Sequence, residues 1–167
     1  MSTIASTSLI NDRNSLLRLS VIGGIITGTL HLLVQVGLVY GLILKSPFIS
    51  SLQYLASGAI GNAAFTGGLA TALLAVMLEF VMTIIIAGVF ILSADRIPLL
   101  RSYVIPGSLL YGCGVFIVMN FIVVPLSAAP PLPAPPTWLF IETILEHILL
   151  AGLPLGLLVR WNDNRVQ

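Results

Sequence analysis

Residues 19–44 read LSVIGGIITGTLHLLVQVGLVYGLIL, an apolar run held between Arg18 and Lys45. About 20 helical residues cross the ~30 Å hydrocarbon layer of a bilayer, so this stretch is long enough to span one. A span must satisfy its backbone hydrogen bonds internally, which makes it a helix rather than an isolated strand. A cleavable leader would have a shorter apolar region followed by a small-x-small cleavage site, and this run has neither feature.

Three further runs of the same kind follow, at 69–93, 103–126 and 138–161. Composition agrees with four spans: 57% of the 167 residues are hydrophobic and 8% are charged. Soluble domains carry roughly 25% charged residues, and a small domain leaves much of its area exposed. Lipid is therefore the expected solvent. The mean hydropathy of +1.09 points the same way. A net charge of +1 with no basic stripe argues against nucleic acid as a partner. The single cysteine, Cys113, excludes an internal disulfide and a thiolate metal cluster.

The expected fold is all-α, a polytopic four-transmembrane-helix bundle in one domain (19–161), with an N-terminal tail (1–18) and a C-terminal tail (162–167). The tail MSTIASTSLINDRNSLLR is polar and Ser/Thr-rich, which suggests a short flexible segment or an interfacial turn. Arg13, Arg18, Arg96, Arg101, Arg160 and Arg165 fall on one side of such a bundle, and Lys45 falls on the other. The positive-inside rule then places both termini in the cytoplasm.

The outer connections are unusual. Segment 46–68, SPFISSLQYLASGAIGNAAFTGG, opens with Ser46 and Pro47, suited to the N-cap and first position of a helix. Phe48, Leu52 and Leu55 recur at helical spacing, so a short interfacial helix ending near Gly58 or Gly61 is expected after the first span. Segment 127–137, SAAPPLPAPPT, carries five prolines and reads as a stiff cap over the outer end.

Within the spans lie His31, Glu79, Glu146 and His147. Ionisable groups in hydrocarbon are costly unless they face a partner or water, so they are functional candidates by default. From the helical rise, all four fall between mid-bilayer and the outer half. Gln35, Asn120 and Glu142 lie nearer the outer surface and are the supporting polar residues. Gly24, Thr27, Gly28, His31 and Gln35 form one stripe, where small residues permit close helix approach. Gly152 and Gly156 on the last span form a similar pair, as do Gly37 and Gly41 on the first. Pro154 frees the carbonyl of Leu150 and should kink its helix. Glu146 and His147 point about 100° apart, so both face the interior only if the bundle wraps that helix.

Four chemistries fit this set. His31, Glu79, Glu146 and His147 suit a divalent metal such as iron, zinc or manganese. His31 and His147 suit the axial positions of a b-type haem. The same residues, with Asn120 and Gln35 holding water, suit a proton or ion path. In the fourth reading, Glu79 pairs with His31 and Asn120 bonds Glu146 or His147, fixing helix register. No nucleotide-binding or hydrolase motif is present, so no catalytic residue is assigned.

The embedded polar residue of the first span, the PLSAAPP stretch from Pro125, and the last span with Glu142, Glu146 and His147 together resemble small bacterial inner-membrane proteins of the YagU-like type. The resemblance covers roughly 19–160. It implies a bacterial inner-membrane location and, for function, a suggested link to acid tolerance. The leading expectation is a non-enzymatic accessory subunit, or a self-associating bundle, with a buried polar cluster. Its partners would be the lipid bilayer and either further copies of itself or a larger membrane complex. The alternative is a small proton-coupled or metal- or haem-binding membrane protein.

Overall fold

The computed structural model describes residues 2–131 and 134–166, with side chains described at 13–131 and 134–164. The first helix, α1 (Ser2–His31), passes into a wider π-helical stretch, Leu32–Ile43. Then come α2 (Phe48–Ile60), a 3₁₀ turn (Gly61–Thr66), α3 (Gly68–Arg96) and a short α4 (Pro98–Ser102). α5 (Val104–Val118) continues through a π turn, Met119–Val123, into Val124–Leu126. The last helix, α6, comprises Thr137–Glu146, a π turn His147–Gly152, and Leu153–Val166. Strands are absent among the described residues.

Among the described residues, four helices are long and apolar enough to cross a membrane: Arg13–Ile43, Gly68–Arg96, Val104–Leu126 and Thr137–Asn164. Their outer faces carry large apolar side chains such as Ile25, Leu73, Leu110 and Leu149, all exposed. In water such faces would favour association, whereas in a bilayer they are simply solvated. The chain is a multi-pass membrane protein.

One expectation fails at the N-terminus. The Ser/Thr-rich segment is not a flexible tail or turn, because α1 begins at Ser2. Extending an existing helix avoids the cost of nucleating one, so modest helix formers suffice there. Arg165 lies outside the residues whose side chains are described.

Glycine sets the packing. A Cβ at Gly24 would sit 2.6 Å from the backbone nitrogen of Ile84, and one at Gly28 would sit 2.7 Å from Thr83 Oγ1, so α1 and α3 meet at these positions. On the other side, a Cβ at Gly112 would meet Ile148 Cα at 2.8 Å, one at Gly152 the Ser108 carbonyl, and one at Gly156 the Ser108 hydroxyl. Gly37 and Gly41 differ. Cβ atoms there would meet only Leu32 and Val36 of the same π-helical stretch, so this pair joins no helices.

Two apolar cores result. One gathers Leu19, Ala87, Phe90, Ile91, Leu155 and Val159 toward the end that holds both termini. The other gathers Val36, Leu52, Ala56, Ala64, Ala72 and Ala75 toward the opposite, connection end. At the connection end α2 packs on α3, and the buried Gln53 donates through Nε2 to the Gly68 carbonyl at 3.1 Å. Ser46 does not cap α2. Pro47 occupies the N-cap position, and the Ser46 hydroxyl accepts from Ser51 at 3.2 Å. The helix ends at Gly61, whose φ of 62° suits a residue without Cβ. The Ala128 amide then donates to the Gly58 carbonyl at 2.9 Å, docking the start of the proline-rich connection onto α2. Leu132 and Pro133 of that connection lie outside the described residues.

Candidate functional site: an intramembrane histidine–carboxylate cluster

Between the two apolar cores lies a polar layer. The buried stripe of α1 runs through Gly24, Thr27, Gly28, Gln35 and Val36, with His31 on the same face. Small residues on that stripe bring α3 close, and Glu79 sits about 16 Å along α3 from Gly68. The His31 Nδ1 lies 2.9 Å from Glu79 Oε1. On its other edge, Nε2 lies 3.4 Å from Glu146 Oε1 on α6. One imidazole therefore bridges two carboxylates from two other helices. The Glu146 side chain is 2% exposed.

Both Glu146 and His147 reach the interior because α1 and α5 wrap α6. Glu146 faces α1, while the His147 ring stands edge-on to His31 at 6.4 Å and to Phe116 of α5 at 5.7 Å. His147 Nδ1 donates to the Thr143 carbonyl at 2.8 Å. A carbonyl only accepts, so Nδ1 carries the proton and Nε2 of a neutral ring is left as an acceptor.

The supporting residues divide. Gln35 is buried above His31 with its Oε1 unbonded, and Glu142 keeps an unbonded buried Oε2 one turn from Glu146. Asn120 bonds neither Glu146 nor His147. Its Nδ2 donates to Phe116 O at 3.1 Å on its own helix, since a short amide at that position reaches the preceding turn first.

An imidazole set between two carboxylates in apolar surroundings is costly unless its charges and polar atoms are compensated. The polar set is also incompletely bonded: His31 Nδ1, despite its close oxygen, and both oxygens of Glu146 lack an aligned hydrogen bond.

Space adjoins the triad. A cavity of about 60 Å³ is lined by His31, Glu79, Thr83, Glu146 and His147 among others, room for a few water molecules at most. A second cavity of about 370 Å³ opens toward the connection end beneath α2 and the segment from Ser127. His31, Glu79, Met82 and Met119 line both. Met82 and Thr83, three and four residues beyond Glu79, share its helix face, a spacing signal that could have found them. Phe116, Met119 and Tyr54 carried no such signal.

The metal and haem expectations do not fit this geometry. No group of three or more His, Cys, Asp or Glu side chains among the described residues is disposed to hold a metal ion. Both His31 nitrogens are directed at carboxylates and His147 Nδ1 at a backbone carbonyl, so the imidazoles do not present free lone pairs to one point. The space of about 60 Å³ beside the two rings is far too small for a macrocycle.

All three π-helical stretches abut this layer. Leu32–Ile43 begins after His31, Met119–Val123 contains Asn120, and His147–Gly152 begins at His147. The last two end one residue before Val124-Pro125 and Leu153-Pro154, respectively. Each proline lacks an N–H, freeing the carbonyl four residues earlier and relaxing the α pattern there. π turns inside α-helices concentrate at functional sites. No protein-family model, curated protein or solved structure matches the chain.

Proposed function

We propose that this membrane protein binds and exchanges protons at the intramembrane cluster of His31, Glu79, Glu146 and His147. Glu146 carries the reading. It is a carboxylate buried between apolar cores, with neither oxygen hydrogen-bonded to another protein group, beside a small cavity that His31, Glu79, Thr83 and His147 also line. A cluster serving only to hold helix register would close its hydrogen bonds, because each one left unmade costs about 1–3 kcal/mol. Facing groups come from α1 (His31), α3 (Glu79) and α6 (Glu142, Glu146, His147), while α5 adds the apolar Val115 and Met119. The basic residues Arg13, Arg18, Arg96, Arg101 and Arg160 at the termini end, against Lys45 at the other, support cytoplasmic termini. The YagU-like resemblance supports a bacterial inner membrane.

The test is proton uptake by the purified protein in nanodiscs after a pH jump between pH 8 and pH 5, the range in which histidine ordinarily titrates. Wild type is expected to take up at least one more proton per chain than the double variant His31→Gln, Glu146→Gln. Identical uptake would overturn the proposal and leave the cluster as a register-fixing contact in an accessory or self-associating bundle.

A further inference from the structure

Among the described residues, the buried side-chain atoms without a hydrogen-bond partner belong to His31, Gln35, Glu142 and Glu146. His31 and Glu146 are in the cluster, and the other two lie on one side of it. Gln35 is one turn beyond His31 on the first span, and Glu142 is one turn before Glu146 on α6, both toward the connection end. Gln35 is 8% exposed, so its Oε1 is an acceptor left open inside the bundle. Further along the first span stands Tyr40, half-buried, which interacts with Gln35 and lies within electrostatic reach of Glu142, Glu146 and Tyr54 of α2. The larger cavity, about 370 Å³, is on the same side and runs from His31 and Glu79 to Tyr54 and Ser127.

The termini side is built differently. Leu19, Ala87, Phe90, Ile91, Leu155 and Val159 fill it, and the Phe90 and Tyr111 rings pack with their centres 5.1 Å apart. Its hydroxyls are spent on backbone: Ser20 donates to the Leu16 carbonyl at 2.8 Å, Ser108 to that of Ile105 at 2.9 Å, and Tyr111 to that of Ile86 at 2.7 Å. None of the three points at another exchangeable group. A charge crossing this layer meets the cost of an ion in hydrocarbon. Buried polar atoms without a protein partner are, by contrast, where ordered water binds.

We infer that the cluster exchanges protons only with the compartment at the connection end, through a relay of Glu142, Gln35 and Tyr40 and the water they hold. The apolar core seals it from the termini end. The protein then registers the pH of one compartment and does not carry protons across the membrane. This inference rests on the proton-exchange reading and gives it a side. The titratable groups facing the relay are His31 and Tyr40 from the first span, Glu79 from α3, Glu142, Glu146 and His147 from α6, and Tyr54 from α2.

The test uses proteoliposomes buffered at pH 8 inside while the external medium is stepped from pH 8 to pH 5, across the histidine range. Cluster protonation is read as the infrared carboxyl change that the double variant His31→Gln, Glu146→Gln lacks. Orientation is read on the same protein by labelling Lys45→Cys, in a Cys113→Ser background, with an impermeant thiol reagent. Across preparations of differing orientation, the amplitude relative to permeabilised vesicles should rise in proportion to the labelled fraction. In vesicles with a weakly buffered interior, entrapped pyranine should acidify no faster than in protein-free vesicles. An amplitude that falls as the labelled fraction rises, or that ignores it, would overturn the inference, as would protein-dependent acidification of the interior. Gln35→Leu should slow the change at least tenfold and still reach the wild-type amplitude, a split between rate and extent that misfolding does not give. Tyr111→Phe, on the sealed side, should leave the rate unchanged. Wild-type rates in Gln35→Leu, or slowing by Tyr111→Phe, would overturn the relay. Permeabilised wild-type vesicles that match the double variant would instead remove the proton-exchange reading itself.

Discussion

Glu146 lies 3.4 Å from His31 across the α1–α6 interface, yet neither of its carboxylate oxygens completes a hydrogen bond. The pairing is therefore close without being closed, and stability and function pull on it in opposite directions. Replacing Glu146 by leucine leaves His31 facing Glu79 alone, a balanced pair, and removes a buried group with unmade hydrogen bonds. Glu146→Leu is expected to keep thermal stability unchanged or to raise it by up to about 1–3 kcal/mol, while abolishing the extra proton uptake. Thermal unfolding in detergent beside the pH-jump measurement checks both. A clear loss of stability would mean that the carboxylate holds the bundle together.

The glycine contacts predict a sharp division. Gly24→Ala and Gly152→Ala drive a methyl group into backbone, that of Ile84 in one case and Ser108 in the other. Neither neighbour is the far end of a flexible side chain, so each substitution should cost about 1–3 kcal/mol or more as overpacking. Gly114 has open space around the position of its missing Cβ. There alanine should be neutral or stabilising by about 0.5–1 kcal/mol, because it lowers the entropy lost on helix formation. Unfolding of the three variants in one detergent gives the comparison.

At the termini end, Arg101 holds Asp163 through two contacts, Nη2 to Oδ1 at 2.6 Å and Nε to Oδ2 at 3.1 Å. This bidentate pair ties α4 to the end of α6, with Asp95 of α3 3.8 Å from the same guanidinium. The side chain of Arg101 is 49% exposed, so a double-mutant cycle with alanine at both positions should give no more than about 1 kcal/mol. The coupling should shrink in high salt. Asp163 raises the Arg101 pKa above its already high ordinary value. A raised pKa in a base means its contribution is complete below the unfolded value and is lost only above it. Between pH 6 and 9 the Arg101 side of this coupling should therefore be flat.

Much of this arrangement is written in local patterns. The four spans follow from run length and hydropathy, and His31 falls on the buried face because Gly24, Thr27, Gly28 and Gln35 share its helical stripe. The contact of His31 with Glu79 follows from depth together with that stripe. The roles of Phe116, Met119 and Tyr54 do not, because an apolar residue in an apolar helix carries no mark of which neighbour it meets. Asn120 was misleading for a related reason. A polar residue in lipid needs a partner, but its own helix supplied one before another helix did. The π-helical stretches left only an indirect trace, since hydropathy does not distinguish i+4 from i+5 bonding. Pro125 and Pro154 were that trace.

Pro154 offers the most direct test of whether the π turn matters. It withholds an N–H from the Leu150 carbonyl, immediately after the π turn His147–Gly152 that orients His147 beside Glu146. Proline in a helix interior costs about 3 kcal/mol against alanine, part of which the π turn and neighbouring helices already recover. Pro154→Ala should therefore stabilise the protein by about 1–2 kcal/mol and increase hydrogen-exchange protection at 150–154. The restored α pattern would tighten the turn and swing the His147 ring away from its edge-on position near His31 and Phe116. Proton uptake should fall even though no ionisable group has been removed. A variant more protected at 150–154 but with wild-type uptake would show that the cluster works without the π turn.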